Sequence, residues 1–130
     1  MKTVIIGKNQ SINECFGELI NENNTFTFYY FQPNVAFQEI EKLNNPGVDL
    51  VLIDLSSSIK NSCEFIGKMR DLLPDIPVIA LHFYTDRALV DEIINAGASA
   101  YLLINTSSVE LNNAIKEISL GKTYITSEIN

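Results

Sequence analysis

Val48-Asp49-Leu50-Val51-Leu52-Ile53-Asp54-Leu55 is the stretch on which the reading of this chain turns. Its middle, Leu50-Val51-Leu52-Ile53, is a continuous apolar run with an acid at either end. That is the pattern of a strand covered on both faces, as a parallel sheet requires. Asp54 stands where the strand leaves the core. In open α/β sheets, ligand and reaction sites gather just outside the carboxyl ends of the strands, so this acid is a site candidate before any motif is considered. What stands at the neighbouring strand ends decides what it can do.

Working outward, short apolar runs rich in β-formers alternate with helix-length amphipathic stretches five times, the pattern of βα units around a parallel sheet. Strands are predicted near Thr3–Gly7, Thr25–Phe31, Leu50–Asp54, Pro77–Leu81 and Ser99–Leu103, and helices near Ser11–Asn21, Asn34–Leu43, Ser62–Leu73, Asp86–Ala96 and Val109–Leu120. Ser11 and Asn34 are placed to cap their helices, and Asn23-Asn24 and Asn45-Pro46-Gly47 interrupt the chain. Gly97 follows the fourth helix, where a left-handed residue is wanted. Thr106-Ser107-Ser108 with Glu110 supplies a cap for the fifth. Val109, Leu111, Ala114, Ile115 and Ile118 include spacings of three and four, marking one packed face.

At 130 residues the chain reads as one domain, large enough to bury a core without staples. Nine Lys and Arg against sixteen Asp and Glu leave a net charge of −7, which repels phosphate backbones and argues against direct nucleic-acid binding by this segment. No apolar run approaches the ~20 residues of a membrane-spanning helix. The opening Met1-Lys2-Thr3-Val4-Ile5-Ile6-Gly7 is too short for a signal peptide, so a cytoplasmic location is expected. Cys15, Cys63 and the single histidine, His82, lie far apart and form no metal-ligand spacing, so the thiols are expected to be free and buried or half-buried. The turn Gly7-Lys8-Asn9-Gln10-Ser11 carries neither GxGxxG nor a P-loop, and GxSxG is absent. Nucleotide binding and triad hydrolysis are therefore unsupported, no catalytic residue is assigned, and no enzyme activity is expected.

Three segments together carry a family resemblance: Val48 to Leu55; Leu73-Pro74-Asp75-Ile76-Pro77-Val78-Ile79-Ala80-Leu81; and Ile94-Asn95-Ala96-Gly97-Ala98-Ser99-Ala100-Tyr101-Leu102-Leu103. They resemble a response-regulator receiver domain of two-component phosphorelay signalling. Ala114 to Thr126, with Gly121-Lys122-Thr123-Tyr124-Ile125, is similar to the exit from receivers that precede a LuxR-type helix-turn-helix. The resemblance implies a flavodoxin-like α/β fold, a (βα)5 three-layer sandwich with a five-stranded parallel sheet in the order 2-1-3-4-5. It further implies a receiver over residues 1–121 and an exit or linker segment over 122–130. A transcriptional output is implied if a DNA-binding domain follows Asn130 in the native protein.

The resemblance places Asp54 at the phosphoacceptor position. A working receiver joins that aspartate to two acids after the first strand, which hold Mg2+ through oxygen ligands. Here those positions fall on Gly7 and Lys8. The lysine expected after the fifth strand is replaced by Ile104, and the Ser or Thr that ends the fourth strand by His82. Tyr101 matches the aromatic switch position. The implied reading is an atypical receiver acting through protein contacts, with Mg-dependent phosphorylation lost or strongly weakened, no cofactor, and Lys8 or His82 as cationic partner to Asp54. Homodimers are implied, through the fourth helix, fifth strand and fifth helix or through the first and fifth helices, with Phe83-Tyr84 as a contact. The alternative is a receiver that still accepts phosphoryl at Asp54 from a histidine kinase, with Mg2+; a flavodoxin-like small-molecule binder or enzyme is the third reading. Each residue also has a plain structural role open to it: Asp54 capping the turn at Ser56-Ser57-Ser58, His82 hydrogen-bonded at a strand end, Tyr101 packing at an edge, and Lys8 solvated.

Overall fold

Side chains along the central strands alternate between two apolar faces, and that alternation builds the molecule. The structure, a computed structural model, describes residues 2–20, 27–31, 47–55 and 59–129. Its strands are β1 (Lys2–Ile6), β2 (Thr27–Phe31), β3 (Leu50–Asp54), β4 (Val78–His82), β5 (Ala100–Leu103) and β6 (Tyr124–Ile125). The helices are α1 (Gln10–Ile20), α2 (Ile59–Leu72), α3 (Arg87–Ala96) and α4 (Ser108–Ser119). Val4, Ile6, Val51, Ile53, Val78, Ala80, Tyr101 and Leu103 turn to one face, where Ile66 and Met69 of α2 and Val90 and Ile93 of α3 cover them. Ile5, Leu50, Leu52, Ile79, Leu81, Ala100 and Leu102 turn to the other, under Phe16 and Ile20 of α1 and Leu111, Ala114, Ile115 and Ile118 of α4. The result is the expected three-layer α/β sandwich.

All strand pairings are parallel, in the order β2-β1-β3-β4-β5-β6. The first five follow the expected flavodoxin-like order, but the sheet has six strands rather than five. Gly121, at φ 80°, turns the chain back after α4. Residues 124–125 then lie along β5, with Tyr124 N donating to Ser99 O at 3.1 Å and Thr126 N to Tyr101 O at 2.9 Å. The composition of 122–130 reads as polar, which hides this strand. Its pairing is satisfied by the backbone, and among the described residues of this segment only Thr126 and Ile129 are buried.

Local signals held in part. Gly97 takes a left-handed φ of 130° after α3, Asp86 caps the start of that helix through Ala88 N, and Ser107 caps α4 through Glu110 N. At α1 the cap is Asn9, whose Oδ1 accepts from Ile12 N at 3.1 Å, and not Ser11, which lies two residues further on, already inside the first turn. Val109 is 72% exposed, because it precedes the buried stripe that begins at Leu111. The expected helix 34–43 with its Asn34 cap, the breaks at Asn23-Asn24 and Asn45-Pro46, and Ser56–Ser58 lie outside the described residues.

Both thiols are free, but Cys15 is exposed where a covered position was expected, since it sits off the Asn13, Phe16, Gly17, Ile20 stripe of α1. Burial, and secondarily Glu92, pushes the Cys63 thiol up, and its Sγ donates to Glu92 O at 3.6 Å. The thiolate is the reactive species. Iodoacetamide at pH 8 is therefore expected to modify Cys15 roughly tenfold faster than Cys63; equal rates by peptide mass mapping would contradict this placement.

Candidate functional site

Parallel register carries the ends of four strands to one edge of the sheet. Ile6 pairs with Ile53, Asp54 with Leu81, and His82 with Leu103, so the residues that follow β1, β3, β4 and β5 line up side by side. Leu55 N donates to Leu81 O at 2.8 Å and Ile104 N to His82 O at 2.9 Å, which extends the ladder one step beyond the strands. Gly7, Asp54, His82 and Ile104 thus stand at neighbouring strand ends along this edge.

Asp54 is half-buried at the end of β3. Gly7 beside it is buried, and a Cβ there would stand 3.2 Å from the Asp54 Cβ and run into Asn13 Oδ1. Its φ is not left-handed, so space and not backbone conformation makes this position glycine. The space is taken by Asn13, fully buried on the first turn of α1, whose Nδ2 donates to Gly7 O at 3.0 Å. Lys8, one residue on, is exposed.

His82 is fully buried, and its Nδ1 accepts from Phe83 N at 2.8 Å. An accepting Nδ1 carries no proton, so the neutral ring holds its proton on Nε2. The imidazole stacks on Tyr84 with centroids 4.2 Å apart and planes 18° from parallel. Phe83 tilts against both rings and is 57% exposed, while Tyr84 is half-buried. Ile104 is half-buried against the α1–α4 core. Tyr101 lies one layer below the edge, fully buried, with its hydroxyl donating to Tyr84 O at 2.7 Å. Burial raises its pKa to about 12.

Among the described residues no three of His, Cys, Asp and Glu converge in a way that could hold a metal ion. A shallow cleft of about 460 Å³ lies at the opposite end of the sheet, beside Arg70, Ser99 and Lys122, and so has no part in this edge. Two contributors escaped the sequence reading. Asn13 was detectable as the one polar member of the apolar i, i+3, i+4, i+7 stripe Asn13, Phe16, Gly17, Ile20. The carbonyl of Tyr84 as the anchor for Tyr101 had no sequence signal, since any residue supplies a carbonyl.

No protein-family model matches this chain. It is 30% identical over 90 residues to the transcriptional regulatory protein DegU of Brevibacillus brevis, covering 69% of this chain and 37% of that protein. It is 32% identical over 82 residues to the response regulator UvrY of Escherichia coli, covering 63% of this chain and 38% of that one. The chain thus spans under two fifths of the length of these curated relatives. The isolated receiver domain of RcsB from Salmonella enterica serovar Typhimurium superposes with a TM-score of 0.81 over 98% of this chain and 94% of that one, at 13% identity. A LuxR-family two-component response regulator from Aurantimonas sp. superposes at 0.78 over 98% of this chain and 91% of that one, at 19% identity. No helix among the described residues is long and apolar enough to cross a membrane. Strand order, the placement of Asp54 at the sheet edge and the sequence likeness converge: this chain is similar in sequence to response regulators and has the fold of their receiver domains.

Proposed function

We propose that this receiver signals through protein contacts and has lost, or nearly lost, Mg-dependent phosphorylation at Asp54. The observation that carries the reading is the buried Gly7–Asn13 arrangement beside Asp54. Phosphoryl transfer to a carboxylate needs the charge on the transferring group neutralised, which falls to a metal held by oxygen ligands and to a nearby cation. Mg2+ demands near-octahedral oxygen coordination. Here one carboxylate is offered by Asp54, Gly7 brings no side chain and its carbonyl is engaged by Asn13, and Lys8 repels a cation. These residues do not fit the ion. The lysine position holds Ile104, packed into apolar surroundings, and the hydroxyl position holds the buried imidazole of His82. Lys8, exposed and one residue beyond Gly7, remains the proposed cationic neighbour of Asp54.

In this reading the partners are proteins: a second copy of the chain, and a histidine kinase where the acceptor is live. Of the two implied dimer surfaces, the one built on the β5 edge has β6 lying along it, whereas α1 and α4 present Ile12 and Val109 to solvent. That favours pairing through α1 and α4. The proposed domain limits are a receiver over residues 1–121 and an exit segment beyond.

The test is the intact mass of the protein after incubation with Mg2+ and a small-molecule phosphodonor, beside an ordinary receiver and Asp54→Asn. The expected result is no phosphoryl adduct where the ordinary receiver is modified. An adduct that disappears in Asp54→Asn would sink the reading and establish phosphorylation at Asp54.

A further inference from the structure

The cleft of about 460 Å³ at the end of the sheet away from Asp54 gathers positive charge in a chain whose nine Lys and Arg are outnumbered by sixteen acids. It opens where β4 and β5 begin, beside the C-terminal turns of α2, α3 and α4. Arg70 and Lys122 line it, and among the described residues no Asp or Glu does. Its size falls within the ordinary range for a small-molecule site, ~300–1,000 Å³.

The surrounding backbone sets the donors. Gly97, at φ 130°, lies so close under Arg70 that a Cβ there would run into the arginine Cγ and stand 2.9 Å from its Cδ. The stem of Arg70 is thus seated on Gly97, and its guanidinium has no acid partner among the described residues. Ser99 Oγ accepts from Val78 N at 3.3 Å, which leaves the serine's own proton to donate. Thr123 and Asn95 bring a hydroxyl and an amide to the same lining. Lys122 Nζ is 3.6 Å from Glu117 Oε2 with its side chain 65% exposed, a loose surface pair that costs little to give up. Cations near helix C-termini ordinarily complement the helix dipole. That role needs neither a guanidinium seated over a glycine nor hydroxyls lining the same space.

We propose that this cleft binds the phosphate group of a small phosphorylated molecule, with Arg70 and Lys122 supplying charge and Ser99 and Thr123 supplying hydroxyl donors. A phosphate monoester carries a charge of about −1.5 to −2 near pH 7 and three strong acceptor oxygens, which suits two cations and donors drawn from separate elements. A carboxylate has one charge and two oxygens in a plane, and the fork of Arg70 alone would satisfy it. The bound group bridges α2, the start of β5 and the turn after α4, and gives the chain a chemical input that needs neither Mg2+ nor Asp54. The inference therefore fails or succeeds separately from the proposed function.

An amide NMR titration of the whole chain with inorganic phosphate tests it, at fixed ionic strength so that general screening stays constant. Saturable shifts are expected at the Gly97, Ser99 and Thr123 amides and at Arg70 Nε–H, with half-saturation at about 1 mM. Arg70→Gln and Lys122→Gln should each weaken binding about tenfold. Lys60→Gln, which removes an exposed charge at the start of α2, should leave it unchanged. Acetate should bind about tenfold more weakly than phosphate. Shifts that rise without saturating, or that survive Arg70→Gln and Lys122→Gln undiminished, would overturn the site. So would an equal loss in Lys60→Gln, which marks general attraction of anions, and equal affinity for acetate would overturn the assignment to phosphate.

Discussion

Gly7→Asp is expected to destabilise the fold by about 2–4 kcal/mol, because the new side chain overpacks a filled site and brings a charge into it. A Cβ at this position meets Asn13 Oδ1 and stands 3.2 Å from the Asp54 Cβ. Asn13 is itself anchored, with Nδ2 on Gly7 O at 3.0 Å, so it cannot swing aside without losing that bond. Removing the obstruction should reverse much of the loss: Asn13→Ala in the Gly7→Asp background is expected to recover at least half of it in urea unfolding followed by circular dichroism. The combination Gly7→Asp, Lys8→Asp and Asn13→Ala then surrounds Asp54 with the oxygen ligands that Mg2+ needs, and Mg2+ should raise its Tm while leaving that of the unaltered chain in place. Wild-type stability for Gly7→Asp alone would mean that Asn13 does not hold the place of the missing acid. No Mg2+ response in the triple variant would mean that the two acids were not the decisive loss.

Tyr101→Ala should cost about 3–5 kcal/mol, the range for deleting a fully buried aromatic side chain, against about 1 kcal/mol for Tyr101→Phe, which loses the hydroxyl bond to Tyr84 O and keeps the packing. The pH dependence carries an independent sign. Burial raises the Tyr101 pKa from the usual 10.0 to about 12, so the folded chain holds this proton more tightly than the unfolded one. The associated stability is fully present below pH 10.0 and is lost as pH rises through about 12. Tyr30 and Tyr124 are also raised, first by burial and then by nearby glutamates, Glu14 and Glu18 for Tyr30 and Glu110 for Tyr124. Tyr101→Phe should therefore flatten the alkaline loss between pH 10 and 12 without abolishing it. An identical alkaline profile for the two proteins would show that Tyr101 ionises as freely in the folded chain as in the unfolded one.

The Asp54 edge was legible because it depends on apolar runs and the rules of parallel sheets. Leu50-Val51-Leu52-Ile53 declares a strand covered on both faces, and a strand of that kind puts its following residue at the ligand-bearing edge. Gly7, His82 and Ile104 could be placed at the same edge as Asp54 for the same reason, each at the end of its own strand or one step past it. What could not be read was occupancy. That Asn13 fills the space beside Gly7 depends on the pitch and rotation of α1, which the cap at Asn9 rather than Ser11 helps to set. The inward placement of Tyr101 depends on a carbonyl of Tyr84, a group that every residue possesses.

By itself the amino-acid sequence determined the layer architecture, the order of the first five strands through its family resemblance, and which residues stand at the strand ends beside Asp54. Hydrophobic periodicity encodes which face of an element is covered, and strand ends inherit their positions from it. Only the tertiary structure decided that Gly7 is required by space, that His82 is buried with Nδ1 accepting, and that residues 124–125 add a sixth strand. Those outcomes rest on close approach between residues distant in the chain and on backbone hydrogen bonds, and neither leaves a periodic trace in the order of the side chains.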